Sequence, residues 1–471
     1  LSPGTGYYFN VLARNSKGII SAYTPVQAST TTFSFSSFSL GGTASDGGSG
    51  LNVDSAGNLV VAGYFEGSID LGCGTLSSAS GTRKGFVAKF DGFSSTCLWS
   101  KALVISVGDE TKVDVTFDSA DNVYAYGFFT TSIATECGTV SSGGHWDGFV
   151  VKLNASDGAC TMQKVFGSAG GYEAVAGVVV DPSNQDFYVT GNIDGGFDAG
   201  GGSISGLGST DIFVFKYTSA GAHIWSRIVG GGGPNEAWGF TGLTPSGDPI
   251  IASWTRNDND VGCGSTNTPS KDPLLFRLDR STGACVWSRV LQADAYEEEF
   301  SGYTMSSDKQ SLYVSGTMNT SLDFGCGAMT TSGGLHAPYL AKLDSSNGSC
   351  VWSSNFPSSG NQIQFDGGLV VKDNQVFLTG RYSNDIDFGS SVTLSTSQGV
   401  DGFLAAFSDD GTPSWATSFG GSGSEEPRGL LAIDSSTFIV TGDFGTTMAV
   451  SDKSLVSNGG LDGFFGLIAR P

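Results

Sequence analysis

Carboxylates return at one point of a long sequence period: Asp46, Glu110, Glu173, Glu236, Glu298 and Glu426 each stand eight residues, or close to eight, before the position first held by Asp54. One repeat replaces the acid with the neutral stretch from Gln362 to Gln364. If the acids enter innermost strands they circle a channel mouth, where like charges in a low-dielectric setting recruit a counter-ion, and hard oxygen ligands favour calcium. The plainer chemistry is capping, each acid accepting N–H groups of its own glycine-rich loop. Calcium is the only cofactor this pattern offers, and no other is expected.

The eight cysteines are Cys73 with Cys97, Cys137 with Cys160, Cys263 with Cys285, and Cys326 with Cys350, two per repeat and 22 to 24 residues apart. Two repeats lack both members, with Ala199-Gly200 and Ala222 in one and Ser390 and Pro413 in the other. Loss in pairs implies bonding in pairs, so four disulfides within repeats are expected, and with them an oxidising compartment, extracellular or at the cell surface. Zinc is the weaker alternative, since the spacing is wide and no histidine lies near.

An Asp recurs as Asp147, Asp211, Asp272, Asp401 and Asp462, and a base as Lys89, Lys152, Lys216, Arg277 and Lys342. Recurrence in five of the repeats for each argues for ion pairing or turn capping rather than a ligand site. Trp99, Trp225, Trp287, Trp352 and Trp415 also recur, with Met162 once in their place, and read as packing between repeats. Trp146, Trp238 and Trp254 fall off the pattern and are the better candidates for a glycan ligand. Asn154, Asn319 and Asn347 open Asn-x-Ser/Thr sequons in loops, as glycosylation requires.

Catalytic constellations are not found. His145, His223 and His336 are isolated, and no nucleophile elbow or metal-binding His pair occurs. Ser408-Asp409-Asp410-Gly411-Thr412-Pro413-Ser414-Trp415 partly resembles the Asp-box of sialidases, but Arg83, Arg227, Arg256 and Arg381 show no grouping along the chain. A net charge of -22 without a basic stripe disfavours nucleic acid and anionic membranes. No apolar run reaches the roughly 20 residues of a membrane helix, so membrane insertion is not expected. No signal peptide opens the chain, which reads as a mature or excised segment.

The elements that carry these residues follow from a period. A short strand pattern ends at Gly63, Gly127, Gly191, Ser253, Gly316, Gly380 and Gly442, spaced by 64, 64, 62, 63, 64 and 62 residues. In the first repeat, residues 50–54 and 58–65 form a hairpin, 85–90 a third strand and 97–102 a fourth, with no helical periodicity. Seven such units predict an all-β, seven-bladed β-propeller of four-stranded antiparallel blades. The last repeat stops after its third strand at residues 462–468. The segment Phe33 to Gly42 resembles the fourth-strand pattern of Trp415 to Gly421, and is expected to close the ring from the amino end. The fourth repeat, with Thr244-Pro245-Ser246-Gly247-Asp248-Pro249 in its hairpin, is expected to pair irregularly.

The hairpin Gly177-Val178-Val179-Val180-Asp181 and Phe187-Tyr188-Val189-Thr190-Gly191, with Asp147-Gly148-Phe149-Val150-Val151-Lys152-Leu153 in the preceding unit, resembles the bacterial-type β-propeller repeat family often called SBBP. The resemblance covers residues 33–471 and implies a propeller module of a large secreted or surface protein, with little about chemistry. Residues 1–32 are similar to the end of a fibronectin type III domain, Leu1-Ser2-Pro3-Gly4-Thr5-Gly6-Tyr7 matching its tyrosine corner. That implies a carboxy-terminal sandwich fragment that cannot bury its apolar face alone. The domains expected are therefore 1–32 and 33–471. The function expected is an extracellular, non-catalytic structural or adhesive protein, a subunit of a filament or surface layer whose partners are other protein chains, copies of itself included, through residues 1–32. A lectin-like propeller that binds a glycan is the alternative, and a sialidase-like glycoside hydrolase the second.

Overall fold

Apolar residues fill both faces of the second strand of each repeat. Leu59, Val60, Val61 and Ala62 are all fully buried, as only a strand covered on both sides can be. A computed structural model describes residues 7–9, 28–30, 37–40, 45–79, 82–92, 94–107, 112–231, 234–291, 299–319, 321–331, 337–356, 363–383, 385–395, 400–421, 423–451, 453–457 and 461–470. In the first unit, strands a (Gly47–Val53), b (Leu59–Glu66), c (Thr82–Phe90) and d (Cys97–Val107) pair antiparallel in chain order. The a–b turn is closed by Asp54, whose Oδ1 accepts the N–H groups of Ala56 at 2.9 Å and Asn58 at 2.8 Å. Six further four-stranded units repeat this order, making seven blades, and no helix occurs among the described residues.

Each hydrophobic cluster straddles two blades. Val60, Val87 and Trp99 of blade 1 pack with Val113, Val123 and Phe149 of blade 2. Blade stacking, not any single sheet, is therefore what buries the apolar surface. The last cluster joins Leu59 and Phe86 of blade 1 to Ile439 and Phe465 of blade 7, closing the ring.

Blade 7 has strands a (Glu425–Ala432), b (Thr437–Phe444) and c (Asp462–Ala469), and its fourth strand is Phe38–Leu40. The register is Phe38 with Phe465, Ser39 with Phe464 and Leu40 with Gly463. Ser37 Oγ accepts the Leu467 N–H at 2.7 Å, and the Phe38 ring lies 5.1 Å from Phe465 and 5.4 Å from Phe90 of blade 1. The closure expected from the sequence is found.

The b–c connections are small hairpins that lap onto the preceding blade. Ser132–Thr135 pairs with Gly138–Ser141 and also with strand d of blade 1, Ile133 opposite Val104. The first cysteine sits at the hairpin tip, so the connection doubles back to strand d. This forms the bonds Cys73–Cys97, Cys137–Cys160, Cys263–Cys285 and Cys326–Cys350, with Cα separations of 5.5 to 5.6 Å. In blade 3 the place of the second cysteine falls to His223, one residue after Ala222, opposite Tyr217, whose hydroxyl donates to the Ala199 carbonyl at 2.8 Å. Blade 4 is irregular as expected: its strand a shifts register twice, and its b and c strands run on without a break into the hairpin, as Pro249–Asp260 and Ser265–Leu278. Within residues 1–32, the described part is an antiparallel pair, Tyr7–Phe9 with Ala28–Thr30; the rest of residues 1–32, on which the expected fibronectin-type resemblance falls, lies outside the described residues.

Candidate functional site

The recurring base of strand c meets an acid of the a–b turn. Lys89 reaches Asp54 at 2.7 Å, Lys152 reaches Asp118 at 2.8 Å and Lys216 reaches Asp186 at 3.3 Å. Burial alone would raise the Asp54 carboxyl, but hydrogen bonds from Lys89 and Asn58 outweigh it and hold the group below its ordinary value; Lys152 and Asn122 do the same for Asp118. The base then crosses to the next blade. Lys89 Nζ and the Trp99 indole N–H both donate to the Ala155 carbonyl, at 3.0 and 3.3 Å, and Lys216 and Trp225 both donate to the Arg280 carbonyl, at 3.0 and 3.2 Å. In each case the acceptor belongs to the c–d turn of the following blade. The turn glycine beneath the indole has positive φ, and a Cβ on Gly158 or Gly283 would stand 2.7 or 2.8 Å from the Trp99 or Trp225 ring. Met162 fills the same role against Gly221. Trp415 faces blade 7, which has no continuous c–d turn, and its indole N–H has no partner.

The Asp-box-like turn belongs to the same device. Asp409 accepts the Tyr313 hydroxyl and, at 2.6 Å, Lys342 Nζ, both from blade 5. The recurring Asp at the start of strand c is not the partner of the recurring base, which lies toward the other end of that strand. It caps glycine-rich loops: Asp147 accepts the Gly143 N–H at 3.0 Å, and Asp211 the N–H groups of Gly208 at 3.1 Å and Gly231 at 3.2 Å.

The acids that open strand a are drawn into the seams between blades. Their backbone N–H groups donate to the preceding blade, Asp46 to Leu461 O at 3.2 Å and Glu173 to Trp146 O at 2.9 Å. Asp46 accepts the Glu66 N–H at 3.1 Å; Glu173 accepts the N–H of Ser168 at 3.0 Å, its hydroxyl at 2.8 Å and the Gly195 N–H at 3.0 Å. In blades 4 and 7 the seam position is Asn235 and Glu425, each one residue before the acid expected from spacing, with N–H bonds to Thr210 O at 2.7 Å and Val400 O at 3.1 Å. Glu110 and Glu298 lie outside the described residues, as does the side chain of Glu236.

Glu426 points elsewhere and joins a chain of charges across blades 6, 7 and 1. It pairs with Arg381 at 2.6 Å and Arg428 at 3.2 Å; Arg428 pairs with Asp443 at 2.8 Å. Arg83 of blade 1 pairs with Glu66 at 3.1 Å and lies 4.2 Å over the Tyr64 ring. Ring closure thus gathers arginines that are far apart in sequence, contrary to the expectation of no grouping, but carboxylates already pair them. Burial, reinforced by Asp443, pushes the Tyr64 phenol up to about 12, the wrong direction for a nucleophile.

Two other surfaces hold reactive or sticky groups. Asp114 on strand a of blade 2 is opposite Tyr126 on strand b; burial raises Asp114, and it raises the phenols of Tyr126 and of Tyr303, on strand a of blade 5, with Asp114 adding to the effect. At the seam of blades 2 and 3, Phe128 stacks on Trp146 at 4.6 Å, Tyr172 meets Trp146 edge-on at 5.4 Å, and His145 stacks on Tyr172 at 4.5 Å. Tyr172 is 42% exposed. Trp254 is instead buried, under Lys271 at 4.7 Å, and the Trp238 side chain lies outside the described residues. Asn154 and Asn347 stand in c–d turns, Asn347 exposed, and Asn319 follows strand b of blade 5. Among the described residues no cluster of three or more His, Cys, Asp or Glu forms a metal centre.

No protein-family model matches the chain, and no curated protein matches it. Among solved structures it is similar to the Dos1 propeller, at 11% identity over 92% of this chain and 94% of that one, with a TM-score of 0.44. It is also similar to a europium-containing methanol dehydrogenase, at 12% identity over 92% and 93%, TM-score 0.41. A third is a quinohemoprotein alcohol dehydrogenase from Comamonas testosteroni, at 11% over 92% and 76%, TM-score 0.40. Likenesses this distant carry nothing about activity, and the seven-bladed assignment stands on strand pairing alone.

Proposed function

We propose that this chain is the rigid, non-catalytic body of an extracellular structural or adhesive protein that works by associating with other protein chains. The observation that carries this reading is the use made of the recurring polar residues: lysines, indoles and turn acids of successive blades converge on one another. Four disulfides within blades fit an oxidising environment. The SBBP-like repeats and the fibronectin-like segment, with the sequons at Asn154, Asn319 and Asn347, fit a glycosylated surface module. Residues 1–32 supply the joint, adding to a neighbouring copy head to tail. Light scattering over a concentration series tests this: the full chain associates and a chain lacking residues 1–32 does not. A full chain that stays monomeric at high concentration contradicts it.

The stack of Phe128, Trp146, Tyr172 and His145 favours a second reading, glycan capture by an aromatic platform. A glycan array separates the two, since the structural reading expects it blank. A sialidase-like hydrolase is not favoured, because its arginines would have to be free to hold a substrate anion, whereas Arg381, Arg428 and Arg83 are each bound by a carboxylate.

A further inference from the structure

The hairpin between strands b and c is tied to strand d by a disulfide in blades 1, 2, 4 and 5, and blade 3 builds the same joint from other groups. The positive-φ glycines that flank Cys73, Gly72 and Gly74, are matched by Gly200 and Gly202, so Gly201 stands where the first cysteine would. His223 faces Tyr217 as Cys97 faces Phe90 and Cys285 faces Leu278, so it stands where the second would. The imidazole fills the space of the missing bond. A Cβ on Gly201 would lie 2.3 Å from His223 Cε1 and 2.5 Å from Nδ1. His223 Nε2 lies 2.7 Å from Ser226 Oγ, and the ring meets Tyr217 edge-on at 5.8 Å. Tyr217 supplies the other half of the joint, its hydroxyl donating to the Ala199 carbonyl at 2.8 Å.

A disulfide is indifferent to acid, but an imidazole takes up a proton, and its surroundings decide the effect. Lys164, on strand d of blade 2, holds its ammonium 4.3 Å from the centre of the Tyr217 ring. Lys101, the matching residue of blade 1, is neutralised by Glu136 of the blade 2 hairpin at 2.8 Å; among the described residues Lys164 has no such carboxylate. The acid that faces His223 is Asp198 of the hairpin, whose Oδ1 already accepts the N–H groups of Gly200 at 2.7 Å and Gly202 at 3.0 Å. Burial pushes the Tyr217 phenol up, so it stays a donor. Burial first, and then Lys164, hold the imidazole below its ordinary value of 6.5, and Asp198 offsets only part of this. A proton on His223 therefore sets a second cation beside Lys164. Because the folded value is the lower one, the opened hairpin takes up protons first. The joint is at full strength above about pH 6.5 and weakens as pH falls through the folded value.

We propose that the blade 3 hairpin is an acid-released latch: neutral His223 seats its tip at Gly201, and protonation beside Lys164 frees residues 196–205 while the disulfide-tied hairpins stay in place. Release uncovers Phe197, which is packed against Phe166, Phe213 and Phe215. Acid thus bares apolar surface on one blade of a ring that remains closed.

Hydrogen exchange of the intact, oxidised chain at about pH 7.5 and about pH 5.5 tests this, read as protection factors so that the intrinsic pH dependence of exchange drops out. Residues 196–205 should lose protection about three- to tenfold at the lower pH, whereas residues 68–77, the hairpin tied by Cys73–Cys97, should keep theirs. His223→Gln retains an amide that reaches Ser226 but does not titrate, and its residues 196–205 should show no pH response. Gly201→Cys combined with His223→Cys puts a disulfide in place of the latch; its melting curve shows that it folds, and its hairpin should stay protected at both pH values. Equal protection of residues 196–205 at the two pH values in the wild-type chain, or a pH response kept in either variant, overturns the proposal.

Discussion

Asp54 and Lys89 show what a single recurring residue does here. Both side chains are almost wholly buried, 2% and 6% exposed, and Lys89 also binds the backbone of the next blade. Asp54→Asn leaves the ammonium group without its counter-charge and is expected to cost about 2–4 kcal/mol, read from the denaturant midpoint. The acid limb follows from sign. Because Asp54 and Asp118 are held below the ordinary value of 3.8, the unfolded chain takes up protons first, so their stabilisation is complete above about pH 4 and is lost as pH falls through the lower folded value. Asp54→Asn should flatten the loss of stability on acidification; an unchanged acid limb contradicts the pairing. The recurrence of these residues was legible in the sequence, but their partners were not. Lys89 meets Ala155 across 66 residues, and a single sequence has no local signal for a contact made only when blades stack.

Turns and connecting hairpins set the register between blades. Gly283 has φ of +68° and its Cβ position is 2.8 Å from the Trp225 ring, so Gly283→Ala combines left-handed strain with a clash and should cost about 2–3 kcal/mol in a melting experiment. Replacing Cys137 and Cys160 together by Ala opens a loop of 23 residues and should cost about 2–4 kcal/mol, as the same melt would read. The cysteine pairing was readable because the residues vanish in pairs. The seam acids were readable only to within one position. Glu425 and Glu426 are adjacent, and successive strand residues face opposite ways, so a slip of one exchanges the seam for the arginine chain. The register shift between Pro427 and Gly429 is a local departure that spacing does not reveal.

The whole molecule is a ring, and closure explains features that no blade has alone. It brings Arg83 to the side of Asp443 and Arg428, leaves the Trp415 indole without the carbonyl its counterparts use, and makes Phe38 the link between Phe465 and Phe90. The number of blades was legible because each carries one strand pattern per period, whereas the charge chain across blades 6, 7 and 1 exists only in the closed state. Without Phe38–Leu40, strand c of blade 7 becomes an open edge. Hydrogen exchange of residues 462–469, compared with the matching strand 401–408, measures this directly. In the intact chain the two segments should be protected alike, and removal of residues 1–44 should abolish protection in 462–469 while sparing 401–408. Equal protection of 462–469 with and without residues 1–44 would contradict a ring closed from its amino end.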